Sequence, residues 1–261
     1  MTAPQHTYGV LGVGALASAI VTGLCDGVDD PPPVLLSPRN ADVAAALAAR
    51  FPSVTVAADN QVVVDGSTTV IVCLRQAHAG VLGKLAWRPD HVVVSAVAGL
   101  PLARLAGLVA PAGQVARAVP MPEVATRASV TPVHPPLPPV VALFDRLGGT
   151  LPIGDGDQFE AIFTALGTVA PFFEYLGVLA GFLTDHGLAA ADAQRLVASS
   201  FAGVAGTLAG SDHPDFAELV KEYAPPGGGN AQFSALLHES GVFEATRRSL
   251  DTVHARLTAQ T

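Results

Sequence analysis

The sequence is poor in the residues that staple, chelate or neutralise. Its 261 residues include two cysteines, Cys25 and Cys73, too few for a disulfide framework or a four-cysteine zinc site. Both lie in apolar surroundings, so free buried thiols in a reducing compartment are expected, and with them a cytoplasmic location. Only 14% of residues are charged and the net charge is -8, which excludes a nucleic-acid binder that works by neutralising phosphates. No Lys or Arg precedes Arg39, so the uncharged stretch Tyr8–Leu24 lacks the basic flank of a secretion signal. HExxH, GxxxxGK[ST], GxSxG and chelating histidine pairs are all missing, and no metal is expected. Asp155-Gly156-Asp157 with Glu160 has the beginning of a calcium loop without its remaining ligands, and reads as a turn and helix start.

What is present is apolar. Half the chain is hydrophobic, enough to bury a sizeable core and to exclude disorder as a description of the whole. Short β-rich runs alternate with alanine-rich helical runs through the first half: Tyr8–Val13, Val34–Ser37, Val54–Ala57, Thr69–Leu74, His91–Val97 and Gln114–Val119. These runs show no polar alternation, as expected of strands buried on both faces of a parallel sheet. Strand–helix alternation predicts a doubly wound α/β domain of the Rossmann type over residues 1–156. The proline-rich Thr131–Pro139 is expected to be an extended surface segment, because proline lacks the amide hydrogen a central strand needs. A helix at Val140–Leu147 and a strand at Thr150–Ile153 complete the domain.

The first turn carries the chemistry. Gly12-Val13-Gly14-Ala15-Leu16-Ala17 is a GxGxxA sequence placed after the first strand and opening the first helix. There a glycine permits the tight turn, a second lets the backbone approach a pyrophosphate, and the helix start offers unpaired amide hydrogens. A dinucleotide site at Gly12, Gly14, Ala15 and Leu16 is expected. After the second strand come Ser37-Pro38-Arg39-Asn40, with no carboxylate until Asp42. A hydroxyl, a guanidinium and an amide suit a 2′-phosphate, so Ser37, Arg39 and Asn40 predict NADP(H).

Beyond Gly156 the period becomes helical, and residues 157–261 are expected to form an all-helical domain. Its charge differs too: residues 1–154 carry nine basic and nine acidic residues, residues 155–261 five and thirteen. Ala161–Leu183 is apolar on every side with Glu174 as its only charge, which suits the core of an obligate homodimer or higher homo-oligomer better than a membrane span.

The chain resembles the pyrroline-5-carboxylate reductase family over nearly its whole length. The residues that carry the resemblance are the GVGALA turn, Ser37–Asn40, Val72-Cys73-Leu74-Arg75, Ser95–Leu100, Arg117-Ala118-Val119-Pro120, Thr164-Ala165-Leu166 with Pro171, and Pro226-Gly227-Gly228. The resemblance implies cofactor contacts at Cys73, Leu74, Arg75, Ala98 and Gly99 and substrate contacts at Pro120 and Met121. It also implies a dimerising helical domain and reduction of a cyclic imine, 1-pyrroline-5-carboxylate, to proline. The departures cluster on the substrate side. Met121-Pro122-Glu123 replaces Asn-Thr-Pro, Gly167–Ala170 replaces a Ser-Gly-Ser-Gly run, and Gly229-Asn230 replaces Thr-Thr. The amide hydrogens of Gly228 and Gly229 and the side chain of Asn230 are the candidates left to hold a carboxylate. No residue declares itself as the general acid; Tyr223 is a weak candidate. Three other readings stay open: reduction of a different cyclic imine, a β-hydroxyacid-type dehydrogenase, and a non-catalytic NADP-binding redox sensor. The second needs a catalytic lysine, and the only two lysines, Lys84 and Lys221, lie in no matching motif.

Overall fold

The computed structural model describes residues 6–209 and 214–259. The expected runs form β1 (Tyr8–Leu11), β2 (Val34–Leu36), β3 (Val54–Val56), β4 (Thr69–Val72), β5 (Val92–Ser95) and β6 (Gln114–Ala118), followed by β7 (Thr131–His134) and β8 (Thr150–Pro152). They make one sheet in the order β3-β2-β1-β4-β5-β6-β7-β8, parallel throughout except for the β6–β7 pair. The strand order reverses direction between β1 and β4, where an open α/β sheet leaves a crevice at the carboxyl ends.

Side-chain alternation explains why the runs are apolar throughout. Val10, Ile71, Val92 and Val94 enter one core, with α1 (Ala15–Cys25), α2 (Ala41–Arg50) and α5 (Pro138–Asp145) against them. Leu11, Val70, Val72 and Val93 enter another, with α3 (Asn60–Asp65), α4 (Leu102–Leu108) and a 3-10 segment at Gln76–Lys84. Both faces are covered, so neither can be polar.

Thr131–Pro139 corrects the sequence expectation: it is no surface segment, for Thr131, Pro132 and Val133 are buried within the sheet. The proline is tolerated because it stands where the ladder ends. Pro132 O accepts from Val119 N–H at 3.1 Å, and beyond Val119 the neighbouring chain turns away at Pro120.

Helices account for the rest: α6 (Gly156–Leu166), α7 (Val169–Asp185), α8 (Ala190–Ala209), α9 (Phe216–Tyr223), α10 (Gly229–Glu239) and α11 (Val242–Thr258). Gly156–Asp185 is the one stretch among the described residues long and apolar enough to cross a membrane. A turn at Gly167-Thr168 divides it, with Thr168 Oγ1 donating to Ala165 O at 2.7 Å. Pro171 falls in the first turn of α7, where a missing amide hydrogen costs nothing. The chain forms two compact units: one runs to Phe163 and is rejoined from Arg256 onward, the other is Thr164–Ala255.

Candidate functional site

In the first unit the candidate cofactor residues gather at the carboxyl ends of β1, β2, β4 and β5. Gly12 has φ +92°, and a Cβ there would meet Cys73 O at 2.8 Å and Leu74 Cδ2 at 2.9 Å, so only glycine fits. Gly14 is different. It is the extended N-cap residue of α1, and a Cβ on it would meet nothing within 4 Å. The first intrahelical bond is Ser18 N–H to Gly14 O at 2.9 Å, so the amide hydrogens of Ala15 and Leu16 have no partner within the helix. No side chain caps this helix start and no acidic residue lies in its first turn. It is a cradle for an anion, and a dinucleotide pyrophosphate fits it.

The segment after β2 is built onto that cradle. Ser37, buried, accepts the Gly12 N–H on its Oγ at 2.9 Å. Asn40 Nδ2 donates to Val13 O at 2.8 Å. Arg39 is exposed, and among the described residues no ion pair engages it. Of the three residues expected to face a 2′-phosphate, only the guanidinium is thus presented to solvent unengaged.

Cys73 donates its N–H to Leu11 O at 2.9 Å, and burial pushes its thiol up to about 12. The thiol stays protonated at neutral pH, which removes thiolate chemistry from this site. Leu74 packs against the core, and Arg75, exposed, precedes the 3-10 segment. Gln76 Nε2 donates to Gly99 O, tying the end of β4 to the loop after β5, and Gly99 has φ +70°. Ala98 beside it is exposed. Nothing about Gln76 as a residue type marks it, and its only signal is its place next to Arg75. Pro120, buried, and Met121, half-buried, follow β6 at the same edge of the sheet.

Sequence reasoning also missed a buried ion pair. Arg117 on β6 donates through Nη1 to Glu160 Oε1 on α6, and the guanidinium stacks 4.8 Å from the Phe159 ring. The pair gives Glu160 a structural partner. Asp155 Oδ1 accepts from Gln158 N–H at 2.9 Å, a helix-start contact, and among the described residues no acidic, histidine or cysteine cluster suits a metal.

In the helical unit the candidates meet at the turn between α9 and α10. Asn230 Nδ2 donates to Tyr223 O at 2.9 Å. Gly228 is the extended N-cap of α10 with no side chain capping it, and Gly229 has open space around its Cβ position. Tyr223 is 46% exposed and lines an apolar groove of about 260 Å³ with Phe216, Val220 and Val204.

Two family descriptions match this chain. Residues 7–99 match NADP oxidoreductase, coenzyme F420-dependent, and residues 157–259 match the pyrroline-5-carboxylate reductase dimerisation domain. Together they mark a chain like the pyrroline-5-carboxylate reductases. It is thus an NAD(P)-dependent oxidoreductase of that type, with an NADP-binding domain followed by a helical dimerisation domain. Solved reductases of the family share the fold over whole chains. The enzyme of Streptococcus pyogenes is 23% identical with a TM-score of 0.78, covering 97% of this chain and 98% of its own. That of Coxiella burnetii is 18% identical with a TM-score of 0.80, covering 99% of each. That of Plasmodium falciparum, solved with NADP bound, is 15% identical with a TM-score of 0.77, covering 98% of each. No curated protein matches the chain.

A β-hydroxyacid-type dehydrogenase would need a catalytic lysine, and the chain has two. Lys84 ends the 3-10 segment of the first unit, and exposed Lys221 is held by Glu218 Oε1 at 2.6 Å within α9.

Proposed function

We propose that this protein is a cytoplasmic, homodimeric NADPH-dependent imine reductase that converts 1-pyrroline-5-carboxylate to proline. The observation that carries the reading is the order of two domains on one chain, an NADP oxidoreductase domain at residues 7–99 and a reductase dimerisation domain at 157–259. We assign cofactor binding to residues 1–156 and dimerisation with substrate binding to residues 157–261.

NADPH, when bound, supplies the hydride. The protein's share is orientation and electrostatics. Amide hydrogens at Gly14, Ala15 and Leu16 hold the pyrophosphate, with Gly12 shaping the turn. Arg39 pairs with the 2′-phosphate, which distinguishes NADPH from NADH. Cys73, Leu74 and Arg75, with Ala98 and Gly99, form the wall beside the nicotinamide end. Pro120 and Met121 are assigned to the substrate, as are Gly228, Gly229 and Asn230, whose amide hydrogens suit a carboxylate. An iminium accepts hydride more readily than a neutral imine, so the protein need only position a substrate that is already protonated at nitrogen.

The test is NADPH oxidation with 1-pyrroline-5-carboxylate and with piperideine-2-carboxylate as acceptors. Turnover of the first with the higher kcat/KM supports proline formation. Cofactor binding without turnover of any cyclic imine overturns the enzymatic reading in favour of a nucleotide-binding sensor. A second reading, reduction of a different cyclic imine, is favoured by one observation: Asn230, which stands in place of a threonine, already spends one amide hydrogen on Tyr223 O. Asn230→Ala with an unchanged substrate KM would remove Asn230 from the site.

A further inference from the structure

The three residues after β2 do not act alike. Ser37 is 1% exposed, and its Oγ accepts the Gly12 N–H at 2.9 Å, so it faces the glycine turn and not a ligand in solvent. Asn40 reaches the same turn from the other side, with Nδ2 on Val13 O at 2.8 Å, while its own carbonyl accepts from Ala44 N–H at 2.9 Å at the start of α2. Two side chains thus grip the Leu11–Gly12 and Val13–Gly14 peptide units, on either side of the Gly12–Val13 peptide, in a turn whose first glycine sits at φ +92°. That conformation lies outside the regions ordinary residues adopt; glycine enters it freely but has many others open to it, and the two side-chain bonds select this one.

We propose that Ser37 and Asn40 are positioning residues for the pyrophosphate, and that Arg39 alone reads the 2′-phosphate. The proposal rests on the NADPH reading above. Ser37 fixes the direction of the Gly12 peptide and Asn40 that of the Val13 peptide. Together they set where the unpaired amide hydrogens of Gly14, Ala15 and Leu16 point. The segment that selects the cofactor is therefore also the buttress of the loop that binds the part common to both nicotinamide nucleotides.

The consequence is a separation of effects that direct contact does not produce. NADPH and NADH share the pyrophosphate; 2′-AMP has the adenosine and the extra phosphate but no pyrophosphate. The experiment titrates the full-length protein and the variants Ser37→Ala, Asn40→Ala and Arg39→Ala with each of the three ligands. Ser37→Ala and Asn40→Ala are expected to weaken NADPH and NADH by the same factor, about tenfold, which is the size of one lost hydrogen bond that leaves a partner unmet. Both should bind 2′-AMP as the unsubstituted protein does. Arg39→Ala should show the reverse pattern, losing 2′-AMP and NADPH affinity while NADH is unchanged. A merely structural role would move all three ligands together or none. Loss of 2′-AMP binding in Ser37→Ala or Asn40→Ala, with NADH unaffected, overturns the proposal and makes those residues direct phosphate contacts. Unchanged NADPH affinity in both variants overturns it as well. If Ser37→Ala does not fold, Asn40→Ala, at an exposed position, decides alone. Failure of the NADPH reading itself looks different: the unsubstituted protein then binds none of the three.

Discussion

The two units of this chain solve the burial problem in opposite ways. The sheet unit hides its apolar residues on both faces of one layer, with Val10, Ile20 and Phe144 on one side and Leu82, Val93 and Leu105 on the other, each 0% exposed. Among the described residues of the helical unit the one buried cluster is Ala180, Ala193 and Val197, while Phe173, Val178 and Phe182 on α7 are each more than 60% exposed. Large apolar side chains left this exposed mark an association surface. The first unit carries its own core; the second has the surface of half a core, which is what its match to a dimerisation domain requires.

The comparison breaks if the exposed stripe is not an interface. Light scattering should give a multiple of the 26.5 kDa chain mass. Val178→Asp, which sets a charge in a surface meant to be dry, should shift the mass to that of one chain and abolish nearly all activity, since a desolvated unpaired charge costs several kcal/mol. A Val178→Asp protein that keeps the parental mass and turnover would mean that α7 faces solvent in the working molecule.

A second difference lies in one buried ion pair. Arg117 and Glu160 of the sheet unit are 4% and 7% exposed, whereas Arg50–Asp26 and Arg88–Asp90 of the same unit, and Arg195–Asp192, Lys221–Glu218 and Arg247–Asp251 of the helical unit, stand in solvent. Arg117→Met, which removes the cation facing a buried carboxylate, should destabilise the protein by about 3–5 kcal/mol in chemical denaturation. The double variant Arg117→Met/Glu160→Leu should recover most of that loss, because apolar side chains of similar volume suit a dry site. Lys221→Ala is the control, expected within about 0.5 kcal/mol of the parent. Equal effects of Arg117→Met and Lys221→Ala would erase the distinction. Between these extremes falls Gly12→Ala. Its left-handed backbone and the approach of Cys73 O should cost about 1–3 kcal/mol and weaken cofactor binding with it.

How much of this was legible beforehand follows from where the information lies. Gly12 and Gly14 are readable because a requirement for no side chain leaves a mark on the sequence itself. The strands are readable because burial on both faces leaves unbroken apolar runs. Thr131–His134 was misread because a proline rule that holds for a strand interior does not hold at the end of a ladder. Ser37 and Asn40 were legible as residue types suited to the cofactor segment, but not as the partners of Gly12 and Val13, 25 and 27 residues away. The Arg117–Glu160 pair spans 43 residues and two elements, and nothing local in either marks the other. Local chemistry was visible; bonds across the sheet edge were not.

The smallest expected effect sharpens the contrast from within the sheet unit. His91, the residue before β5, is fully buried and accepts the Arg88 N–H on Nδ1 at 3.0 Å. Burial, and then the positive charge of Arg88, hold its pKa below the ordinary 6.5, while Asp90 and Asp65 oppose the shift. The neutral ring is therefore the folded form, and the unfolded chain binds a proton more readily. It follows that stability is flat above the unfolded value near 6.5 and declines as pH falls below it towards the folded value. His6, also shifted downward by burial, adds a slope of the same sign. His91→Asn keeps an acceptor for the Arg88 amide without the titration, so the ratio of stability at pH 5 to that at pH 8 should rise relative to the parent. Every other histidine is common to both proteins, which makes the difference between the two pH profiles the quantity to measure; parallel profiles would show that His91 is protonated as easily in the sheet as in the unfolded chain.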